Sequence, residues 1–236
     1  GRFARIVSLV IDLNSEDGQV LDDVMEAAVE LVSTLAPTDL LSVSCYRGHL
    51  FYTMGSDAHM GEEDTSFKPG DVIRNSIVEV RNVEHAKTEV MVFLSSFLEQ
   101  CNPVCTSFAE FFLHHSNGLA TAAKARIDIK AVKQADSVRE IVLIAKNDID
   151  TPSQQAIAQI IKQNSFTCRF HACFLNSTYN STAFFLRALC GRTRGNFGLT
   201  YGYELRFKQL LAFVHRLAKP IVADVDVSFP HTSDLE

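Results

Sequence analysis

Tryptophan is absent, proline numbers only six and methionine four, and basic residues (22) fall short of acidic ones (28). The resulting net charge of −6 leaves no broad positive surface, which excludes nucleic acid as a default partner. No apolar run reaches the roughly eighteen residues a bilayer-spanning helix needs, so no transmembrane segment is expected within the chain. No charge run is long enough for a disordered tail. The opening Gly1-Arg2-Phe3-Ala4-Arg5-Ile6 lacks a signal-peptide layout and passes almost at once into a strand, as in a mature product or a piece of a longer protein.

Catalytic fingerprints are missing too. The chain has no Gly-x-Ser-x-Gly elbow, no Walker loop and no Gly-x-Gly-x-x-Gly turn. His114 and His115 are adjacent on an expected helix and face different directions, so they cannot chelate as an i, i+4 pair would. Cys101-x-x-x-Cys105 has no second pair at zinc spacing. The expectation is a protein that is not an enzyme.

What is present is a chain of 236 residues, 47% of them apolar, enough for one large core. Arg5 to Asp12 is a short β-branched run suited to a strand buried on both faces. Val20, Leu21, Val24, Met25, Ala28, Leu31, Val32 and Leu35 then recur at helical spacing up to Pro37. Strands are expected at 40–46, 49–53, 139–145, 167–175 and 196–200. Helices are expected at 84–100, from Thr106, from Thr151 (with Thr151 as N-cap and Pro152 at the first helical position), at 181–190 and at 204–217. Residues 55–83 read as an irregular polar stretch, and Ile221 to Phe229 alternates like an edge strand. The alternation implies an α/β fold: a doubly wound, mainly parallel sheet with helices on both faces and one antiparallel edge strand. Residues 1–218 form the domain and 219–236 an exit segment. A ligand site is expected at the carboxyl ends of the strands.

The six cysteines are even in number, which alone says nothing about disulfides in a domain this large. Cys168 and Cys173 fall on opposite faces of one strand and should not pair, whereas Cys101 and Cys105 bracket a turn where they could meet. Asn176-Ser177-Thr178 and Asn180-Ser181-Thr182 are candidate glycosylation sites. Arg187, Arg192, Arg194 and Arg206 cluster in sequence and read as a solvated face, or else as a basic patch for an acidic partner.

The stretch Val7 to Glu16, the amphipathic helix after it, Pro37 to Val43, and Ile141 to Asp148 together resemble the von Willebrand factor A family. Within it, Ile77 to Asn82, Ala188-Leu189-Cys190 before Gly195 to Gly198, and Phe213 to Val222 are similar to the A domain of calcium-channel alpha-2-delta subunits and their Cache-domain relatives. Inter-alpha-inhibitor heavy chains show a similar exit. The resemblance implies a metal site built from an Asp-x-Ser-x-Ser loop, a Thr and a second Asp, in which hard oxygens hold Mg²⁺. Here Asp12 matches, Asn14 and Glu16 replace the serines, Thr106 (or Ser107) aligns with the Thr, and Lys146 stands where the second Asp is expected. An ammonium there repels a divalent ion and can replace its charge beside Asp12, giving a degenerate site with no cofactor. A two-residue slip would put Asp148 there instead and return Mg²⁺ or Ca²⁺ to the site. The implied function is non-enzymatic protein recognition. One form is an extracellular or cell-surface module of a membrane-channel auxiliary subunit, glycosylated at Asn176 and Asn180. The other is a cytoplasmic, metal-free scaffold domain within a large assembly.

Overall fold

In the computed structural model, residues 4–13, 18–37, 39–47, 50–54, 78–100, 104–105, 108–109, 112–113, 137–162, 168–176 and 178–218 are described. The elements are β1 (Ala4–Asp12), α1 (Gly18–Ser33), β2 (Leu40–Arg47), β3 (Leu50–Thr53), β4 (Val78–Glu79), α2 (Val83–Gln100), β5 (Val104–Cys105), β6 (Ser137–Ala145), α3 (Thr151–Lys162), β7 (Arg169–Phe174), α4 (Ser181–Arg192), β8 (Phe197–Leu199) and α5 (Tyr203–Leu217). One sheet runs β5-β3-β2-β1-β6-β7-β8, with β4 paired to β2. Strands β2, β1, β6, β7 and β8 are parallel. Strand β3 is antiparallel to β2 and to β5. This is the doubly wound α/β architecture expected from the strand–helix alternation. The edge strand expected at 221–229 lies outside the described residues, as does the exit segment 219–236.

Parity along β1 builds the two layers. Val7, Leu9 and Ile11 point into one core with Val142, Ile144 and Cys173, closed by Val24, Ala28 and Leu31 of α1, Val90 and Leu94 of α2, and Leu210 and Phe213 of α5. Ile6 and Val10 point into the other core, with Ile141, Leu143, Phe170 and Phe174 under Leu186 and Leu189 of α4 and Ile157 of α3. Both faces are covered, which is why these strands read as continuous apolar runs.

The interior also holds charge. Arg5 Nε donates to Glu140 Oε2 at 2.7 Å, and the backbone N–H of Arg5 donates to Asp39 Oδ1 at 2.9 Å. His171 Nδ1 accepts the Asn196 N–H at 3.0 Å, which leaves its ring proton on Nε2, 3.6 Å from Glu140 Oε1. Burial alone would raise the Glu140 pKa, but the His171 ring and the Arg5 guanidinium outweigh it and hold the carboxyl below its ordinary 4.5.

Several local expectations are corrected. Val78–Glu79, within the stretch read as irregular, is a two-residue strand on β2, and Val104–Cys105, read as part of a turn, is another on β3. Neither is long enough to show a period. The oxygen capping α3 belongs to Asp150, whose Oδ1 accepts the Ser153 N–H at 2.6 Å, so Thr151 is already helical. Gly191 lies inside α4, which ends at Thr193 followed by Arg194 in the left-handed region (φ 58°). Gly195 then passes so close beneath the Phe170 carbonyl that any side chain would collide with it. The arginine cluster is divided: Arg206 is buried and bonded to Asp23 at 2.6 Å, whereas Arg187, Arg192 and Arg194 are exposed.

Candidate functional site

From β1 the chain moves outward to β2, and later returns to place β6 on the other side of β1. The topological switch point therefore lies between the carboxyl ends of β1 and β6, where Asp12 pairs with Ala145. Open α/β sheets place ligands at such a crevice.

Asp12 ends β1 on the side of the second core, and its side chain is buried. Its backbone carbonyl accepts the Lys146 N–H at 3.0 Å, and its Oδ1 accepts Asn147 Nδ2 at 2.9 Å. Burial pushes the Asp12 carboxyl from 3.8 up to about 7, with the Asn147 hydrogen bond pulling the other way. The residue donating to this carboxyl is thus Asn147, one position beyond the Lys146 singled out in the sequence. Lys146 itself is half-buried at the strand end. Asp148, the acid a two-residue slip would supply, is exposed and its Oδ1 accepts Asn180 Nδ2 at 2.6 Å.

Among the described residues, local bonds continue along this edge. Ile149 N–H donates to the Thr182 hydroxyl at 3.1 Å, and Gln154 Nε2 donates to the Ile149 carbonyl at 2.7 Å. Asn180 is the N-cap of α4, its Oδ1 accepting the Ala183 N–H at 3.1 Å. Both polar atoms of this candidate glycosylation side chain are therefore engaged within the fold. Asn176 Oδ1 accepts the Thr178 N–H at 3.0 Å in a tight turn. Between them Tyr179 stacks edge-on against Phe184, with centroids 6.0 Å apart, and both rings are exposed.

Asn14, Glu16, Thr106 and Ser107 lie outside the described residues, as do His114, His115 and Cys101. The described members of the implied metal set are Asp12 and Lys146. They offer one carboxylate, buried and met by an amide N–H. Among the described residues no group of three or more His, Cys, Asp or Glu side chains could hold a metal. Cys45, Cys168, Cys173 and Cys190 are buried, with Cys168 and Cys173 in different cores. Burial pushes the thiols of Cys173 and Cys190 up to about 12, so neither is a ready nucleophile. Asn147 is the site residue that sequence reasoning passes over. Its only signal is a polar pair, Asn147-Asp148, directly after a buried strand.

No protein-family model and no curated protein matches the sequence. Solved structures are similar in fold. A von Willebrand factor type A protein from Catenulispora acidiphila superimposes with a TM-score of 0.55 at 10% identity over 91% of this chain, which spans 42% of that protein's length. The N-terminal domain of TFIIH p34 superimposes at 0.56 with 9% identity, covering 89% of this chain and 97% of that domain. The VWA domain of SpRpn10 gives 0.45 at 12% identity over 94% and 100%. The chain has a von Willebrand factor A-like fold. No helix among the described residues is long and apolar enough to cross a membrane.

Proposed function

We propose that this chain is a non-enzymatic protein-recognition domain that works without metal, as a scaffold element inside a multiprotein assembly. The observation that carries the reading is the Asp12 carboxyl at the end of β1, buried and accepting a hydrogen bond from Asn147 Nδ2 at 2.9 Å. A cation site needs a carboxylate facing open coordination positions, and one oxygen of Asp12 is already taken by Asn147.

The assembly setting is favoured over the cell-surface one by three further features. A glycan on Asn180 would have to leave from Nδ2, the atom bonded to Asp148, while Oδ1 caps α4. Four buried, unbridged thiols suit a reducing compartment. The p34 domain, which matches this chain along nearly its whole length, is by name a part of TFIIH. A domain of this size and fold thus has a natural place in such a complex. Membership of a membrane-channel subunit draws no support from these features.

A thermal melt in EDTA, then in millimolar Mg²⁺ or Ca²⁺, tests the metal-free reading. A cation bound only by the native state at a hundred times its dissociation constant would add about 2.7 kcal/mol. We expect no cation-dependent rise. A rise of several degrees that disappears in Asp12→Asn would restore a working metal site and overturn the proposal.

A further inference from the structure

Away from the sheet edge, α1 packs beside both α2 and α5. Along that seam lies a groove of about 420 Å³. Met25 and Val29 of α1, Met91 of α2, and Phe207 and Leu211 of α5 supply its apolar surface, while Glu26, Glu30 and His215 stand at its rim. Met91 is 45% exposed and the adjoining Val92 58%, so the apolar surface continues outward along α2. Thioethers make such a wall adaptable to differently shaped anchors.

The carboxylates at the rim come from α1. Helix α1 carries Asp22, Asp23, Glu26 and Glu30 and no Lys or Arg. Arg206 neutralises Asp23 at 2.6 Å, and His215 Nε2 lies 3.0 Å from Glu30 Oε1. Glu26 is exposed and has no ionic partner among the described residues. An apolar trough edged by carboxylates complements a helix with one apolar stripe flanked by Lys and Arg. The same carboxylates repel phosphate, which disfavours nucleic acid and anionic lipid. The segment that follows α5 in the chain has the wrong sign to fill the groove, since residues 219–236 hold Asp224, Asp226, Asp234 and Glu236 against Lys219.

We propose that the α1–α2–α5 groove docks a basic amphipathic helix of a protein partner. The helix would lie over the seam and insert apolar side chains at i, i+3, i+4 and i+7 between Met25, Met91 and Leu211, with its cations beside Glu26 and Glu30. The proposal rests on the reading of the chain as a recognition domain and is independent of metal, which the melt decides separately.

The test is fluorescence anisotropy with the full chain and two labelled helical peptides of about eighteen residues. Both carry the same leucine stripe; one is flanked by Lys and Arg, the other by Glu. The basic peptide should bind with a dissociation constant on the order of 10 μM, and the acidic one at least about tenfold more weakly. Glu26→Lys combined with Glu30→Lys should weaken the basic peptide about tenfold or more, and so should Met91→Asp. Arg187→Glu, on α4 across the sheet, should leave binding unchanged. Each variant is first checked for an unaltered melt, which these surface positions should give. Equal binding of the two peptides, binding indifferent to both groove variants, or no binding of the basic peptide at about 1 mM would each overturn the proposal.

Discussion

Replacing Asp12 with asparagine should stabilise the protein at neutral and alkaline pH. Ionising a carboxyl whose pKa has risen from 3.8 to about 7 costs up to about 4 kcal/mol in the folded state. The sign follows from linkage. A raised folded pKa contributes stability in full below the unfolded value of 3.8, and this is lost as pH rises through about 7. Wild type should therefore carry an increasing penalty from about pH 4 to about pH 8. The asparagine side chain cannot ionise, and its carbonyl oxygen can still accept from Asn147 Nδ2. The variant should match wild type near pH 4 and exceed it by about 2–4 kcal/mol near pH 8, roughly 5–10 °C in melting temperature for a chain of this size. Urea denaturation of both proteins across that range is the assay. Plotting their stability difference against pH cancels the titration of all other groups. A variant less stable than wild type near pH 8, or a difference that does not change with pH, would refute the reasoning. The first result would mean that the Asp12 charge is compensated in the native state.

The buried ion pair titrates in the opposite sense. Glu140→Gln leaves the Arg5 guanidinium without its carboxylate and should cost about 3 kcal/mol near pH 7. Because the folded pKa of Glu140 lies below 4.5, its contribution is complete above 4.5 and is lost as pH falls through the folded value. The variant's deficit in urea titrations should therefore shrink toward about pH 3; a deficit that stays constant would refute the electrostatic account. Iodoacetamide at about pH 8, followed by peptide mass mapping, should leave Cys45, Cys168, Cys173 and Cys190 unmodified until denaturant is added. Labelling of any of the four in the native protein would contradict their burial.

The strands and helices that sequence reading locates are those whose side chains answer to one dominant force. Strands β1, β6 and β7 are buried on both faces and read as apolar runs, and α1 and α5 bury one stripe and show helical spacing. Asp12 is legible because an acid directly after such a run is conspicuous. What escapes depends on contacts between distant residues. Asn147 meets Asp12 across 135 positions, and Arg206 meets Asp23 across 183, so neither pairing leaves a local trace. The capping of α3 by Asp150 competes with an equally plausible Thr-Pro signal one residue later, and the backbone bond geometry decides it. Strands β4 and β5 are held by β2 and β3 with two residues each, too few for any periodicity to appear.

The distribution of satisfied polar groups favours the helical seam over the sheet edge as the docking surface of the proposed recognition domain. At the switch point Asp12 is held by Asn147, Asp148 by Asn180, and the Ile149 N–H by Thr182. A ligand entering there must displace these bonds, each worth about 1 kcal/mol net and more where a charge takes part. It must also ionise a carboxyl that burial holds near 7 if it brings a cation. At the α1–α2–α5 groove the bond at stake is the exposed Glu30–His215 pair. Met91 is exposed and Glu26 has no ionic partner among the described residues, so a docking helix removes apolar area from water and supplies Glu26 with a counter-charge without breaking a bond of that residue. Burying even about 100 Å² of apolar surface there would contribute about 2.5 kcal/mol, whereas the same contact at the sheet edge would first have to offset the bonds it displaced. Of the two surfaces, the groove asks a docking partner to displace fewer of the described internal bonds.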